Sequence, residues 1–299
     1  MNSASDPPAP DPRVMTPGPQ RSRSTPRRTA WHLERRGRLV YFRLPVRAEH
    51  SPDSARRSGS GLTCIFTTRS GGVSQGAFEG LNLAYGYGDD PESVGENLER
   101  LRMEFGIKHL VTLKQMHSKT VLYINYEKIP ADVLEGDALF TDQPGIALGI
   151  KVADCLPVYI LSRDGSVIGL AHAGWRGTRG RVAVHLVSTI QRKLGMEPRD
   201  LCFAFGPCIG PRCYEVGAEI VHDFQDFPAP GEFLKRAPDQ HDPPKFLLDL
   251  KTANRQILSP MGLSEVGNLN KCTHCSPALF YSARRDKTTG RNLALVVRH

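Results

Sequence analysis

Three side chains in this 299-residue chain carry the chemistry of a transition-metal site: His117, Cys155 and His172. Each closes a short apolar segment (residues 110–113, 146–152 and 167–170) rich in the Val, Ile and Leu of buried strands. Ligands at strand ends can converge. Two imidazoles and one thiolate make three protein ligands, the number found in catalytic zinc centres that leave a fourth position to water or substrate. A single His or Cys is ordinarily a packed core residue. Here the surrounding residues are polar as well. Gln115, Ser118, Asp154 and the string Gly174-Trp175-Arg176-Gly177 crowd the same segment ends, the composition of a pocket rim.

Other polar residues suggest what such a pocket would hold. Arg69 precedes Ser70-Gly71-Gly72, where glycine permits close backbone approach and an amide nest suited to an oxyanion, phosphate being the natural candidate. Arg176 offers a planar fork for the same anion, and its neighbour Trp175 is a residue either to pack or to stack on a base. Arg284 and Arg285, just after Phe280-Tyr281, are further candidates, with Arg284 assigned to the substrate. Gln115 and Asp154 complete the expected substrate-binding set. Cys272-Thr273-His274-Cys275 has redox or zinc spacing, but neither a second cysteine pair nor a thioredoxin-like βαβ pattern accompanies it, so a structural turn is the default.

The elements that must position these groups are legible in outline. Residues 38–43 read as a first strand, residues 49–61 as a Ser, Arg and Gly loop, and residues 62–67 as a second strand. Residues 90–105 begin with Asp90-Pro91 and place Val94, Leu98, Leu101 and Phe105 at helical spacing, which predicts an amphipathic helix. A second helix is predicted over residues 180–194, with Val182, Leu186, Ile190 and Leu194 on one stripe and Gly195 as its stop. Residues 201–205 and 293–297 add strands. Strands outnumber helices without alternating regularly with them, so the fold class is α+β and a doubly wound parallel sheet is disfavoured.

Composition sets the limits. Residues 1–38 are rich in Pro, Ser and Arg, poor in apolar residues and without the continuous apolar core of a signal peptide, so they are expected as a disordered basic tail preceding one catalytic domain over residues 39–299. The repeated prolines oppose the amphipathic helix of an organelle transit peptide. No apolar run approaches the ~18 residues of a membrane span. The net charge of +8 raises a nucleic-acid reading, yet much of the excess sits in the tail, where only Asp6, Asp11 and Glu34 offset the arginines. No helix-turn-helix, aromatic ribonucleoprotein-like string or paired zinc-finger spacing supports specific nucleic-acid recognition. Seven cysteines, an odd set without signal-peptide context, argue for reduced thiols and a cytoplasmic location.

The strings Thr67-Thr-Arg-Ser-Gly-Gly-Val-Ser74, Leu81-Asn-Leu83, Gln115-Met-His117, Ala153-Asp-Cys-Leu-Pro157, His172-Ala-Gly-Trp-Arg-Gly177, Gly206-Pro-Cys-Ile-Gly210, Cys213-Tyr-Glu-Val216 and Cys272-Thr-His-Cys275 occur in one order. In these the chain, from about residue 39 onward, resembles the laccase-domain or YfiH-like family, also called multicopper polyphenol oxidase proteins, purine nucleoside phosphorylases and peptidoglycan editing factors. Met116, Ser118 and His274 depart locally from the family's pattern, which bears on pocket shape more than on ligation. The resemblance implies a single domain of layered α/β/β/α architecture with mixed sheets. It implies phosphorolysis of adenosine, inosine and 5′-methylthioadenosine together with adenosine deamination, with purine nucleosides and phosphate as partners. His117, Cys155 and His172 are then both catalytic and metal-ligating, with zinc as cofactor and copper less favoured. An ion there would activate water for attack at adenosine C6. Two alternative enzyme classes stay open. One is a cysteine hydrolase or amidase editing peptidoglycan precursors, with Cys155 as nucleophile and His172 as base. The other is a copper polyphenol oxidase, disfavoured because none of the ten histidines forms an His-x-His pair and Met116 is a poor axial ligand beside His117. A non-enzymatic binding module would leave the open ligand set without a use.

Overall fold

The apolar segments that end in His117, Cys155 and His172 are strands, and they lie in two different sheets. The computed structural model describes residues 29–46, 61–129, 133–238 and 242–299. In chain order its elements are β1 (His32–Arg36), β2 (Leu39–Leu44), β3 (Leu62–Thr67), α1 (Pro91–Phe105), β4 (His109–Thr112), β5 (Val121–Tyr123), β6 (Ala138–Thr141), β7 (Ile146–Val152), β8 (Leu156–Ser162), β9 (Ile168–Ala173), α2 (Trp175–Arg179), α3 (Val182–Leu194), β10 (Leu201–Phe205), β11 (Glu215–Gly217), α4 (Ala218–Asp223), β12 (Leu234–Arg236), β13 (Lys245–Leu248), α5 (Leu250–Leu258), β14 (Ser264–Asn268), α6 (Ala283–Asp286) and β15 (Asn292–Arg298).

One six-stranded sheet has the order β1-β2-β3-β15-β7-β4 and a second the order β14-β10-β8-β9-β6-β5; a small third sheet is β11-β13-β12. Both large sheets are mixed. β4 pairs with β7, β10 with β14 and β5 with β6 in parallel, and the remaining ladders are antiparallel. The sheets pack face to face through Phe66, Leu148, Ile150 and Val296 from the first against Tyr159, Leu161 and Leu170 from the second. On the outer face of the second sheet, Phe140, Ile160 and Phe203 meet Leu186 and Ile190 of α3 and Leu250 and Ile257 of α5. The outer face of the first sheet packs Tyr41, Ile65 and Leu295 against Leu101 and Phe105 of α1. Burial on both faces of the second sheet explains why strands such as β8 and β10 read as near-continuous apolar runs. The result is the α/β/β/α layering of a single α+β domain.

The helices follow their signals with one break. α1 is capped by Asp90, whose carboxylate accepts from the amides of Glu92 and Ser93, and it ends at Gly106 in the left-handed region. The helix expected over residues 180–194 is α3, starting at Val182. Arg181, at φ 56°, separates it from the short α2, so the chain turns between Trp175 and the long helix instead of continuing straight. The expected tail boundary at residue 38 is corrected. β1 pairs with β2 in register from His32↔Arg43 to Arg36↔Leu39, and Trp31 packs edge-on against Tyr159 at 5.4 Å. A charged, exposed strand such as HLERR carries little apolar signal, and its pairing is what reveals it. The rest of the expected tail, residues 1–28, lies outside the described residues, as does most of the expected loop over 49–61. Among the described residues, no helix is long and apolar enough to cross a membrane.

Candidate metal centre

Cys155 sits where the chain leaves β7 of the first sheet and enters β8 of the second. β8 pairs with β9, setting Pro157 opposite His172 and Leu156 opposite Ala173, so the register brings His172 beside the Cys155 crossover. His117 arrives on the loop after β4. One ligand atom from each of the three residues lies within 4.8 Å of the other two, and the two imidazole centroids are 4.9 Å apart. His172 lies inside β9 and is 4 % exposed, whereas His117 faces outward.

Asp137, fully buried just before β6, organises the site. Its carboxylate accepts from the amides of Met116, His117 and Ser118 at 3.1, 3.0 and 2.6 Å and from the Ser118 hydroxyl at 2.8 Å. It also lies 2.9 Å from His172 Nδ1, while its carbonyl accepts from the His172 amide. This one residue therefore fixes the His117 loop, holding His117 at φ 56°, and orients the other imidazole. With Nδ1 engaged, Nε2 of His172 is left for the cluster, the arrangement in which a carboxylate supports a metal-binding histidine. Burial opposes the Asp137 charge, but the hydrogen bonds from His172 and Ser118 outweigh it and lower the pKa to about 2. Burial likewise opposes charge on His172, yet the Cys155 sulfur and Asp137 raise it to about 9. His117 moves down, through burial and the positive charge of His172 and Arg176, against the pull of Asp137.

Gly174 lies against the sulfur. A Cβ there would stand 2.7 Å from Cys155 Sγ and 3.4 Å from His117 Nδ1, so only glycine leaves the three donors room to converge. The donor set thus fits a thiophilic ion: a soft sulfur, two imidazoles, one of them oriented by a carboxylate, and a backbone cleared of side-chain bulk.

The other expected site residues fall into two groups. Arg176 and Arg284 flank the cluster. Arg176 is exposed, stacks its guanidinium 4.4 Å from the Trp175 ring centroid and acts electrostatically on His117. Arg284 stands 5.1 Å over the ring of Tyr214 and donates to Glu215 O at 2.9 Å. Tyr214 feels Cys155, Arg284, Asp154 and Arg176 together, and burial, aided by Cys155, pushes its phenol pKa up, so it remains a hydrogen-bond donor. The second group is tied into the fold by hydrogen bonds. Asp154, at φ 90°, accepts from Thr273 Oγ1 at 2.6 Å, Ser282 Oγ at 3.0 Å and the Arg284 amide at 2.7 Å, which ties the 273–284 segment to the site. Gln115 exchanges two hydrogen bonds with the backbone of Lys151, at 2.8 and 2.9 Å. Arg69 donates to Glu79 O at 3.2 and 3.0 Å and to Pro277 O at 3.2 Å, and its guanidinium lies 4.9 Å from the Tyr281 ring centroid. It lines an open cleft of about 700 Å³ with Ser70, Gly72, Ser74, Glu79 and Pro277; His117, Cys155 and His172 are not in that lining. The glycines after Arg69 serve close packing: a Cβ on Gly71 or Gly72 would stand 2.2 Å from a backbone carbonyl oxygen, of Arg38 or of Gly80. Arg285 braces the carbonyls of Thr273, His274 and Phe280.

Sequence reasoning missed Asp137 and Tyr214. An acid preceding a fully apolar strand start was the available signal for Asp137; Tyr214 stood inside a quoted string with nothing local to mark it. The Cys272 and Cys275 pair, expected to lack a partner, gains one: Cys213 joins them, with the three sulfurs within 4.8 Å of one another. All seven cysteines are free.

Comparison with known proteins gives the same family as the residue strings. The family model described as multi-copper polyphenol oxidoreductase laccase matches residues 63–299. A protein named purine nucleoside phosphorylase YlmD from Geobacillus stearothermophilus is 37% identical over 251 residues, covering 80% of this chain and 91% of its own length. Purine nucleoside phosphorylase YfiH from Escherichia coli (strain K12) is 36% identical over 242 residues, covering 79% of this chain and 93% of its own. The crystal structure of YlmD from Geobacillus stearothermophilus superposes with a TM-score of 0.76 at 33% identity, over 89% of this chain and 98% of that one. By sequence and by fold, the chain belongs to the multi-copper polyphenol oxidoreductase laccase family.

Proposed function

We propose that this protein is a metal-dependent purine nucleoside phosphorylase that also deaminates adenosine, acting on adenosine, inosine and 5′-methylthioadenosine. The observation that carries this reading is the convergence of His117, Cys155 and His172 beside two arginines and a protonated tyrosine, in a chain whose relatives are named purine nucleoside phosphorylases. His117, Cys155 and His172 would hold the ion, zinc by donor chemistry, and when bound it would supply Lewis acidity to the substrate pocket.

In phosphorolysis a phosphate oxygen attacks C1′ while the bond to the base breaks, its electron pair leaving with the base, which takes up a proton. The chain's own residues have three tasks in this. Arg176 and Arg284 bind the phosphate dianion: Arg176 makes no ion pair among the described residues, and Arg284 engages a carbonyl through Nη1 alone. Tyr214 donates a hydrogen bond toward the polar edge of the substrate, and Trp175 shields one side of the pocket. Asp154 positions Arg284 through its backbone amide. Arg69, held on carbonyl groups, is assigned to the fold instead of to phosphate. In deamination the amino group at C6 is replaced by oxygen from water and leaves as ammonia, with no need for phosphate.

One observation favours a second reading. Cys155, His172 and Asp137 form a chain of thiol, imidazole and carboxylate, the order found in cysteine hydrolases. The experiment that separates them is a chromatographic product assay on inosine and adenosine, with and without phosphate, using protein of measured metal content. Phosphorylase action gives hypoxanthine and ribose 1-phosphate only when phosphate is present. A metal-free protein that turns over no nucleoside but hydrolyses a cell-wall peptide or amide would overturn the proposal in favour of the hydrolase.

A further inference from the structure

Cys213, Cys272 and Cys275 lie outside the site described above and have no part in the proposed reaction. Cys213 ends the turn at residues 211–213 that follows Gly206-Pro-Cys-Ile-Gly210, while Cys272 and Cys275 come from the loop after β14. The two segments are joined by an isolated parallel bridge between Cys208 and Cys272, and the amide of Thr273 donates to Cys208 O at 3.1 Å. This registration brings 62 residues of separation down to a 3.2 Å contact between the sulfurs of Cys213 and Cys275. Cys272 Sγ accepts from the Gly210 amide at 3.1 Å and from the Cys275 amide three residues on. A sulfur that accepts amide hydrogens is set up to carry negative charge. Burial grades outward: Cys213 and Cys272 are half-buried and Cys275 is exposed.

We infer that Cys213, Cys272 and Cys275 form a second metal site, which binds one zinc-class thiophilic ion through three thiolates with solvent in the fourth position. Three sulfurs within 4.8 Å match the spacing of ligands around a tetrahedral ion, because zinc–sulfur bonds of about 2.3 Å put neighbouring sulfurs roughly 3.8 Å apart. Three soft sulfurs with no oxygen or nitrogen donor select zinc or cuprous copper over magnesium, calcium or manganese. Among the described residues no fourth His, Cys, Asp or Glu belongs to the group. The exposed Cys275 gives the ion its entry path and its solvent ligand. Its role follows from what the loop carries: Thr273 binds Asp154, and Cys213 immediately precedes Tyr214, on which Arg284 stacks. The ion staples the two segments that flank the first centre, without touching the substrate.

The test uses the full-length protein purified under reducing conditions. Wild type is expected to carry about two zinc per chain and Cys155→Ala about one. Cys213→Ser/Cys275→Ser should also carry about one. Cys275 is exposed, so the single variant Cys275→Ser provides a check with little risk to folding. Cobalt(II) substitution supplies the second readout. Cys155→Ala loaded with cobalt should show a sulfur-to-cobalt charge-transfer band, and Cys155→Ala/Cys213→Ser/Cys275→Ser should lose it. A Cys155→Ala protein that is folded yet binds no metal and shows no band would overturn the inference. So would intact mass and thiol titration showing that Cys213 and Cys275 are joined as a disulfide in the reduced preparation. Neither outcome depends on nucleoside turnover, so this inference and the proposed function fail separately.

Discussion

Gly174→Ala isolates the candidate metal centre of His117, Cys155 and His172 from the fold that holds it. Gly174 has φ −66° and ψ −177°, an extended conformation open to any residue, so alanine meets no backbone strain. The whole perturbation is steric. The new methyl would lie 2.7 Å from Cys155 Sγ, whereas non-bonded heavy atoms settle at about 3.5–4.0 Å, so the sulfur must retreat by roughly 0.8 Å or more. Metal–ligand distances tolerate about 0.2 Å. The sulfur cannot both clear the methyl and keep its place opposite His117 and His172. Disturbing the support of a ligand costs about 10–100-fold in metal affinity, or roughly 1.4–2.7 kcal/mol, and displacing the ligand itself should reach at least the upper figure. The metal-free fold should lose roughly 0–2.6 kcal/mol, a local packing penalty of ~1–3 kcal/mol less the ~0.4–1 kcal/mol that alanine contributes by lowering the entropy of the unfolded chain. The assay is zinc affinity by chelator competition in a Cys213→Ser/Cys275→Ser background, where one centre is counted, alongside thermal melting of the metal-free protein. Zinc affinity within twofold of the parent, in a protein that melts at the same temperature, would refute the steric argument.

Asp137→Asn keeps the shape but removes the charge and one acceptor; the mutant should lose about 2–4 kcal/mol of stability by chemical denaturation and 10–100-fold in zinc affinity, because the half-buried amides of the His117 loop lose the buried carboxylate they donate to. The pKa of about 9 at His172 sets a pH dependence in metal-free protein: the proton must leave before the nitrogen can ligate, so zinc affinity should fall about tenfold per pH unit below pH 9 from this group alone, measured by calorimetric titration. The same raised pKa stabilises the metal-free fold most fully below pH 6.5, and its contribution is lost as pH rises through 9, visible as a lower melting temperature at pH 9.5 than at pH 7. Arg176→Ala and Arg284→Ala should each raise the KM for phosphate by roughly tenfold or more while sparing adenosine deamination; Arg69→Ala should lower the melting temperature instead, and the opposite pattern in steady-state kinetics would return the phosphate site to Arg69. Deleting residues 1–28 should leave melting unchanged, whereas deleting 1–37 removes β1 and the Trp31 contact with Tyr159 and should lower the melting temperature by several degrees in differential scanning calorimetry.

Local chemistry was enough to pick out the three donors that the fold brings together, His117, Cys155 and His172. A strand buried on both faces must be apolar, so a histidine inside β9 or a cysteine between β7 and β8 stands out. Asp90-Pro91 and Gly195 likewise fix a helix start and a helix stop through their own backbone preferences. The proposed anion site was legible only in part. Arg69, Arg176 and Arg284 are alike as residues, and only packing shows that Arg69 braces carbonyls across 208 residues while the other two stand near Tyr214. Asp137 and the Cys213, Cys272 and Cys275 cluster were hidden for the same reason, since strand pairing and loop registration, not sequence distance, decide which groups meet. What the sequence determined was the identity of each donor and the local structure that carries it. Tertiary structure alone decided which donors share a centre, because convergence depends on the register of two packed sheets whose paired residues lie tens to hundreds of positions apart.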